Sequence, residues 1–424
     1  MIALILVLLV VLLVIGVPVA FAIGMTSTAY LMLQGYPPIN IVAQKMVDGI
    51  NSFPLMALPL FILSGEIMSY GCTQRLMRLA NLILGWIPGG LGAAGVAASA
   101  FFGAISGSGV ATTAAIGGIV GPEMVDRGYG KGLTASLLSG AGSLGSLIPP
   151  SVIMVVYCSC TGVSVRKMFL GGYIPGILCA LALIGLVVFL SAKRKYPVEK
   201  TNYSFSEVVK IFFDALLPLM MPLIILGGVM GGIFTPTESA VVAVVYSLII
   251  TCFVYRNLKI SDLVDIGAKC AVSTAVILFI MSNAAPFGWI LATQNVPAIV
   301  ANGILGLTQN PVIIFGLIAV LLLFLGTFME TTSIIILLTP MLYPVAIGMG
   351  LDPVHFGIFM ILNLCIGAST PPLAVCLFTS TKILGIQIED TFPEVLYVCG
   401  ILTVVMILLM IFPQIVMFLP NAVG

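Results

Sequence analysis

Residues 100–113 read AFFGAISGSGVATT, and residues 366–376 read IGASTPPLAVC. Both lie inside long apolar stretches, yet both are too rich in Gly, Ser, Thr or Pro for an unbroken helix facing lipid. Backbone N–H and C=O groups find no partners in hydrocarbon, so non-helical chain at membrane depth survives only where protein buries it or it lines a cavity. GAISGSGVATT (103–113) therefore reads as the tip of a re-entrant hairpin. Further along, SGAGSLGSLIPPS (139–151) breaks a second helix, because Pro149 and Pro150 remove two backbone donors and free the carbonyls one turn earlier. GTFMETTS (326–333) and IGASTPPL (366–373) repeat the pair of devices in the second half of the chain.

The surroundings fit a membrane. With 60% hydrophobic residues, 7% charged residues and a mean hydropathy of +1.24, the chain lies outside the range of soluble domains. It reads as an all-α polytopic membrane protein. Ile2–Val14, Leu170–Leu190, Phe212–Met230, Val241–Val254, Val312–Leu325 and Leu396–Leu419 are apolar enough to cross, or nearly cross, about 30 Å of hydrocarbon as helices. Short segments of alternating polarity, the mark of a β-barrel, are absent from the sequence. The first apolar run has no basic segment before it and reads as a retained helix rather than a cleaved signal. A net charge of +1 without basic, aromatic-interleaved stretches gives no footprint for nucleic acid. No G-x-x-x-x-G-K-[ST] occurs, which argues against direct ATP drive. The nine cysteines have no C-x-x-C pair or His partner at ligand spacing and read as packing residues.

A polar, basic linker, SAKRKYPVEKTNYSFSEVVK (191–210), divides the chain. The halves repeat: Pro149-Pro150 and Pro371-Pro372 are 222 positions apart, as are Gly145 and Gly367, while Gly103 and Gly326 are 223 apart. GVSVRKMF (162–169) and GIQIEDTF (385–392) keep the 223 offset with apolar, charged and aromatic positions matching. The expected organisation is a first repeat over 1–192 with a hairpin at about 95–123, a cytoplasmic linker over 193–210, and a second repeat over 211–424 with a hairpin at about 312–345. Arg75, Arg78, Arg127 and Lys131 flank the first insert, whereas Cys270–Thr381 contains no Lys or Arg. With Lys193–Lys195 inside, the first hairpin enters from the cytoplasm and the second from outside, an inverted-topology repeat of about five transmembrane helices plus one hairpin in each half. Both termini then fall outside, with Arg166 and Lys167 as external exceptions to the charge rule.

Hydroxyl and carbonyl oxygens without carboxylates suit a dehydrated sodium ion, while half-helix amino ends face an anionic substrate. Glu330 is the strong intramembrane acidic candidate and reads as the cap of its hairpin tip, supporting the site from behind. In FTPTESA (234–240), Thr235, Pro236 and Glu238 read as a structural helix start. Glu66 is expected at the interface beside Arg75 or Arg78, and His355 in a turn or cap. GWIPGG (85–90) and TQNP (308–311) read as turns leading into the hairpins.

IGVPVAFAIG, PLFILSGEIM, SGSGVATTAAIG, IPPS, GGIFTPTESAVVA, DPVHFGI and STPPLAV together make the chain resemble the large membrane subunit of the TRAP transporters, the tripartite ATP-independent periplasmic family, along nearly its whole length. The resemblance implies an elevator-type secondary transporter of the bacterial inner membrane, driven by sodium. It implies a small organic acid delivered by a periplasmic binding protein, and a small four-helix membrane subunit as partner. Carried over residue by residue, it places one sodium site at Ser106, Ser108, Gly145, Ile148 and Pro149, and a second at Gly326, Met329, Thr331, Gly367, Ser369 and Thr370. Substrate falls near Ser108, Thr112, Ser151, Thr332 and Ser333. The family often carries Asp where this chain has Glu330. No cofactor and no catalytic residue is expected beyond sodium as coupling ion. The rivals are a stand-alone sodium/dicarboxylate symporter needing no binding protein, and an intramembrane serine protease pairing Ser106 with His355, which needs a base within hydrogen-bond reach of the serine.

Overall fold

A computed structural model describes residues 2–35, 37–196, 203–296, 298–299 and 311–423. Linker positions 197–202 and turn positions 308–310 lie outside the described residues. The protein is all-α, and no strand occurs among the described residues. The first half contains α1 (Ile2–Val14), α2 (Val19–Gln34), α3 (Asn40–Ile50), α4 (Ala57–Leu84), α5 (Gly90–Ser106), α6 (Gly109–Asp126), α7 (Lys131–Ser143), α8 (Val152–Thr161) and α9 (Val165–Arg194). The second contains α10 (Phe205–Met230), α11 (Pro236–Leu248, continued by a π turn over Ile249–Val254), α12 (Ile260–Thr293), α13 (Pro311–Gly326), α14 (Thr331–Gly348), α15 (Pro353–Gly367), α16 (Val375–Leu384), α17 (Glu394–Ile411) and α18 (Pro413–Val423).

Two helices long and apolar enough to cross a membrane lie outside the segments read as crossings from the sequence. The Phe53–Leu84 segment carries Glu66 and an interruption at Tyr70–Gly71, where Gly71 has φ 90°; α12 opens with Asp262, Asp265 and Lys269. Conversely, the apolar run Leu396–Leu419 is two helices. Pro413 has no N–H to donate and pushes Phe412 out of the helical region, to φ −118° and ψ 74°, so α17 stops at Ile411.

Each half contains a helical hairpin and a Pro-Pro break. In each half a helix, a short tip and a second helix (α5–α6, α13–α14) are followed by a pair of short helices separated by a break with a cis Pro-Pro bond (α7–α8, α15–α16). The four short helices contain 13, 10, 15 and 10 residues, each below the ~20 needed to cross a bilayer, so each pair meets end to end at depth. The turns after the hairpins match as well: Gly128 (φ 86°) and Gly350 (φ 78°) occupy the left-handed region, 222 positions apart. The short helix after each break packs on the other half, α8 against α14, and α16 against α6 and α7.

Side-chain contacts identify the two ends of the bundle. At one end the start of α5 meets the end of α9, through Gly89 and Ser191. Tyr129, after α6, stacks on Tyr196 at 4.5 Å, and Arg194 pairs with Glu394 at the start of α17 at 3.0 Å. At the other end, the Tyr157 hydroxyl of α8 donates to the Pro353 carbonyl at 2.8 Å, and Phe315 of α13 lies 5.9 Å from His355 of α15. The α5–α6 hairpin therefore opens toward one end and α13–α14 toward the other. Arg166 belongs to the second end. Its guanidinium donates to the last carbonyls of two helices, Met230 of α10 at 2.9 Å and Val423 of α18 at 2.8 Å. A cation spent on two helix carboxyl ends is structural, which accounts for a basic residue on a side with few others.

Candidate functional site

Each hairpin is locked to its break through backbone so close that only glycine fits. A Cβ on Gly103 of α5 would stand 2.7 Å from Gly145 Cα, and one on Gly145 would stand 2.8 Å from the Ser108 carbonyl. In the second half a Cβ on Gly367 would stand 2.8 Å from Gly326 Cα. The sequence pairs Gly103/Gly145 and Gly326/Gly367 are thus two crossings of the same kind.

At the first crossing, Ser106 Oγ lies 2.9 Å from Thr112 Oγ1 and 3.4 Å from the Ser108 carbonyl. Ser108 caps α6, its hydroxyl accepting the Ala111 N–H at 3.4 Å. The Gly109 N–H donates to Ser146 Oγ at 3.0 Å, and the Val152 N–H to the Gly107 carbonyl at 3.3 Å, so tip and break share hydrogen bonds. At the second crossing the Thr327 carbonyl accepts both the Leu373 and Ala374 N–H groups at 3.1 Å. Glu330 caps α14: its carboxylate accepts the Ser333 N–H at 3.0 Å, the Thr332 hydroxyl at 2.8 Å and the Ser333 hydroxyl at 3.4 Å.

The carbonyls expected to be free one turn before the prolines are largely taken. The Ser146 carbonyl accepts the Ser151 hydroxyl at 2.6 Å, that of Gly367 accepts the Thr370 N–H at 3.0 Å, and that of Ala368 accepts the Cys376 N–H at 3.0 Å. Each carbonyl keeps a second lone pair, which is what an ion would use. The Pro149 carbonyl likewise accepts the Tyr173 hydroxyl at 3.0 Å, and the Thr370 hydroxyl donates to the Ile366 carbonyl at 2.7 Å. Ser369 differs: its hydroxyl is fully buried and makes no hydrogen bond. A buried hydroxyl left unpaired is costly in apolar surroundings, and a cation beside it would satisfy its oxygen. Ile148 is buried in the first break, and Met329 lies in the second tip, its N–H donating to Leu325 O at 3.0 Å.

The tips face a shared cavity of about 810 Å³ between α4 and α12. Ser106, Ser108, Thr331, Thr332 and Ser333 line it, together with Glu330, which opens to the cavity as well as capping its helix. Two residues assigned to substrate do not line it. Thr112 is buried and donates to the Ser108 carbonyl at 2.8 Å, and Ser151 is buried and bonded to Ser146; both hydroxyls hold chain in place. Gly145, Gly326, Gly367, Ser369 and Thr370 lie behind the tips rather than on the cavity wall. The far walls were missed. Glu66 and Ser69 of α4 and Ser273 of α12 line the cavity, and Glu66 is not the interfacial partner of Arg75, whose guanidinium sits 3.6 Å over the Tyr255 ring. The "SGE" within PLFILSGEIM, small residues beside a charge inside an apolar run, was the available signal. Ser146, on which the first latch depends, carried none beyond the Gly/Ser richness of its stretch.

Thr235, Glu238, Asp352 and His355 make local structural contacts. Thr235 and Glu238 form a reciprocal cap at the start of α11, the Thr235 N–H donating to the Glu238 carboxylate at 2.7 Å. His355 is buried, with Nε2 3.0 Å from the Leu409 carbonyl, and the helix it opens is capped by Asp352. Among the described residues Ser106 bonds to Thr112 and Ser108 and His355 to Leu409, so His355 is not placed as a base for Ser106. Among the described residues no cluster of His, Cys, Asp and Glu is arranged to hold a metal ion.

Residues 6–415 match the family described as the tripartite ATP-independent periplasmic transporter, DctM component. An isethionate TRAP transporter permease, DctMQ of Oleidesulfovibrio alaskensis, is 42% identical over 96% of this chain, which spans 64% of that relative's length. The sialic acid TRAP transporter large permease SiaM of Vibrio cholerae is 37% identical over 96% of the chain and 95% of its own length. The C4-dicarboxylate large permease DctM of Pseudomonas aeruginosa is 36% identical over 95% and 94%. Among solved structures, the Alcanivorax borkumensis YdaH transporter shares the fold with a TM-score of 0.61 over 88% of each chain, at 14% identity.

Proposed function

The chain belongs to the tripartite ATP-independent periplasmic transporter family as its DctM component, a multi-pass protein of the bacterial inner membrane, and from that premise we propose the transport cycle it serves. It is the large transport subunit of a sodium-coupled secondary transporter. It imports a small organic acid anion handed over by a periplasmic binding protein, and works beside a small four-helix membrane subunit.

One observation carries this reading: two tip–break units, built from hydroxyl and carbonyl oxygens with the Glu330 carboxylate capping the second, converge on one cavity from opposite ends of the bundle. Ser106, Ser108, Gly145, Ile148 and Pro149 hold one sodium ion, and Gly326, Met329, Thr331, Gly367, Ser369 and Thr370 hold the other; the unpaired Ser369 hydroxyl supports the second. Oxygen-only, uncharged coordination suits a dehydrated monovalent cation. Substrate lies between the tips against Ser108, Thr332 and Ser333, where the amino ends of α6 and α14 favour negative charge. The opposed openings of the two hairpins support an inverted-topology repeat, with the Lys193–Lys195 end in the cytoplasm. The hairpins and the short broken helices move together as a transport domain, sliding against a scaffold that includes α4 and α12.

Reconstitution tests this. With the small subunit in liposomes, uptake of the acids named for the relatives (isethionate, sialic acid, C4-dicarboxylates) is expected only with an inward sodium gradient and the cognate binding protein. Ser106→Ala and Thr370→Ala are expected to lower the apparent sodium affinity. Uptake that persists in choline sinks the coupling, and uptake without any soluble protein favours a stand-alone symporter instead.

A further inference from the structure

This inference rests on the Pro149 carbonyl being an oxygen of the first sodium site, and it concerns a residue outside both tip and break. A dehydrated sodium ion binds best where its oxygens are already in place, because any ordering of ligands on binding is subtracted from the affinity. In a helix the backbone ladder does that ordering. Across the first break the ladder is interrupted, since Pro149 and Pro150 have no N–H to donate. The chain is tied on one side by the Ile148 N–H on the Leu144 carbonyl at 2.8 Å, and on the other by the Val152 N–H on the Gly107 carbonyl at 3.3 Å. The peptide planes between these ties depend on what packs against them.

The helix that follows the break, α9, packs there. Gly172 and Gly176, one turn apart, bring its backbone against residues 147–149. A Cβ on Gly172 would stand 2.8 Å from the Leu147 carbonyl oxygen and 3.0 Å from Pro149 Cγ, and one on Gly176 would stand 2.5 Å from Ile148 Cγ1. From the same face the Tyr173 hydroxyl donates to the Pro149 carbonyl at 3.0 Å. A donor on one lone pair of that oxygen sets the peptide plane and leaves the other lone pair for a cation. The second break is backed by a thiol on the helix that follows it: Cys399 Sγ of α17 lies 3.6 Å from the Ser369 carbonyl and accepts the Thr370 hydroxyl at 3.3 Å. A thiol is a weak donor, so its hold on the Ser369 carbonyl is the weaker of the two.

We propose that Tyr173 is a positioning residue for the coupling ion: through the Pro149 carbonyl it presets the first sodium site, and with it the affinity and the size preference for the cation.

Tyr173→Phe and Tyr157→Phe make a matched pair. The Tyr157 hydroxyl also donates to a proline carbonyl, that of Pro353 at 2.8 Å, but where α15 begins rather than at a break. Each substitution removes one hydroxyl from a proline carbonyl, so a purely structural loss treats the two alike. On the purified complex with its small subunit, sodium and lithium are titrated by their shifts in thermal unfolding, and the sodium dependence of uptake is followed in liposomes. Tyr173→Phe is expected to raise the half-saturating sodium concentration about three- to tenfold, the weight of one hydrogen bond. It is also expected to narrow the preference for sodium over lithium and to keep the maximal uptake rate at saturating sodium. Tyr157→Phe is expected to leave half-saturation and ion preference unchanged even where the unfolding midpoint falls. A second pair keeps the hydroxyl. Gly176→Ala presses on Ile148 and is expected to weaken sodium in the same direction, whereas Gly185→Ala on the same helix, with nothing within 4 Å of its Cβ, is not. Half-saturation unchanged in Tyr173→Phe, or shifted equally within either pair, overturns the proposal, and sodium-dependent uptake in the unaltered complex then leaves the transporter reading standing. If the unaltered complex shows neither a sodium-dependent shift nor sodium-dependent uptake, the sodium reading fails and this proposal fails with it.

Discussion

At Gly103 a single hydrogen atom stands in for a side chain because the facing atom is the Cα of Gly145, which cannot swing away as a side-chain end would. Gly103→Ala is therefore expected to destabilise the purified protein by about 1–3 kcal/mol, the usual range for overpacking, and to abolish uptake if the crossing holds an ion. Gly118, on α6, is the control. Nothing lies within 4 Å of a Cβ built there, and Gly118→Ala should leave thermal unfolding and uptake intact. Equal loss in both variants would mean that helix packing in general, rather than the crossing, is at issue. Residue identity at these crossings was legible from the fixed offsets alone. The roles of Thr112 and Ser151 were not, because a hydroxyl in a polar cluster reads the same whether it faces a cavity or ties down a carbonyl.

The element that matters is the tip with its break. The first unit is latched through a side chain, Ser146 Oγ on the Gly109 N–H, as well as through the Val152 N–H on the Gly107 carbonyl, and the second through the Thr327 carbonyl on Leu373 and Ala374. Removing a partner from a buried N–H costs about 1–3 kcal/mol, so Ser146→Ala should lower the unfolding midpoint and weaken the apparent sodium affinity. Thr327→Ala removes only a hydroxyl that bonds to Phe324 in its own turn and keeps the latching carbonyl; a small effect is expected. If the two variants behave alike in unfolding and sodium titration, the latch does not hold the first site. Hairpins and breaks could be foreseen because Gly, Ser and Pro-Pro in an apolar run conflict with lipid-facing helix. The α4 and α12 walls were not marked as crossings, although both helices are long and apolar enough to cross a membrane; Glu66 interrupts one apolar run, and Asp262, Asp265 and Lys269 open the other.

Across the whole molecule, the hairpins open at opposite ends, and the last residues of their second helices, Asp126 and Gly348, are exposed and 222 positions apart. On a background lacking the nine native cysteines, Asp126→Cys should react with a membrane-impermeant maleimide only after the inner membrane is permeabilised, and Gly348→Cys from the periplasmic side of intact spheroplasts. Labelling of both from one side would contradict the inverted arrangement. The exchange of short helices between halves, α8 onto α14 and α16 onto α6, makes the two units one body. Neither half buries its break alone.

Composition, the two broken stretches and their fixed offset were enough, by themselves, to determine a polytopic helical protein with duplicated hairpins, because backbone polarity in lipid leaves few alternatives. Which hydroxyls face the cavity, which carbonyls are already taken, and that Ser108 and Glu330 confront the same space were decided only by tertiary structure. Those properties belong to distances between segments separated by hundreds of residues, and no local pattern encodes them.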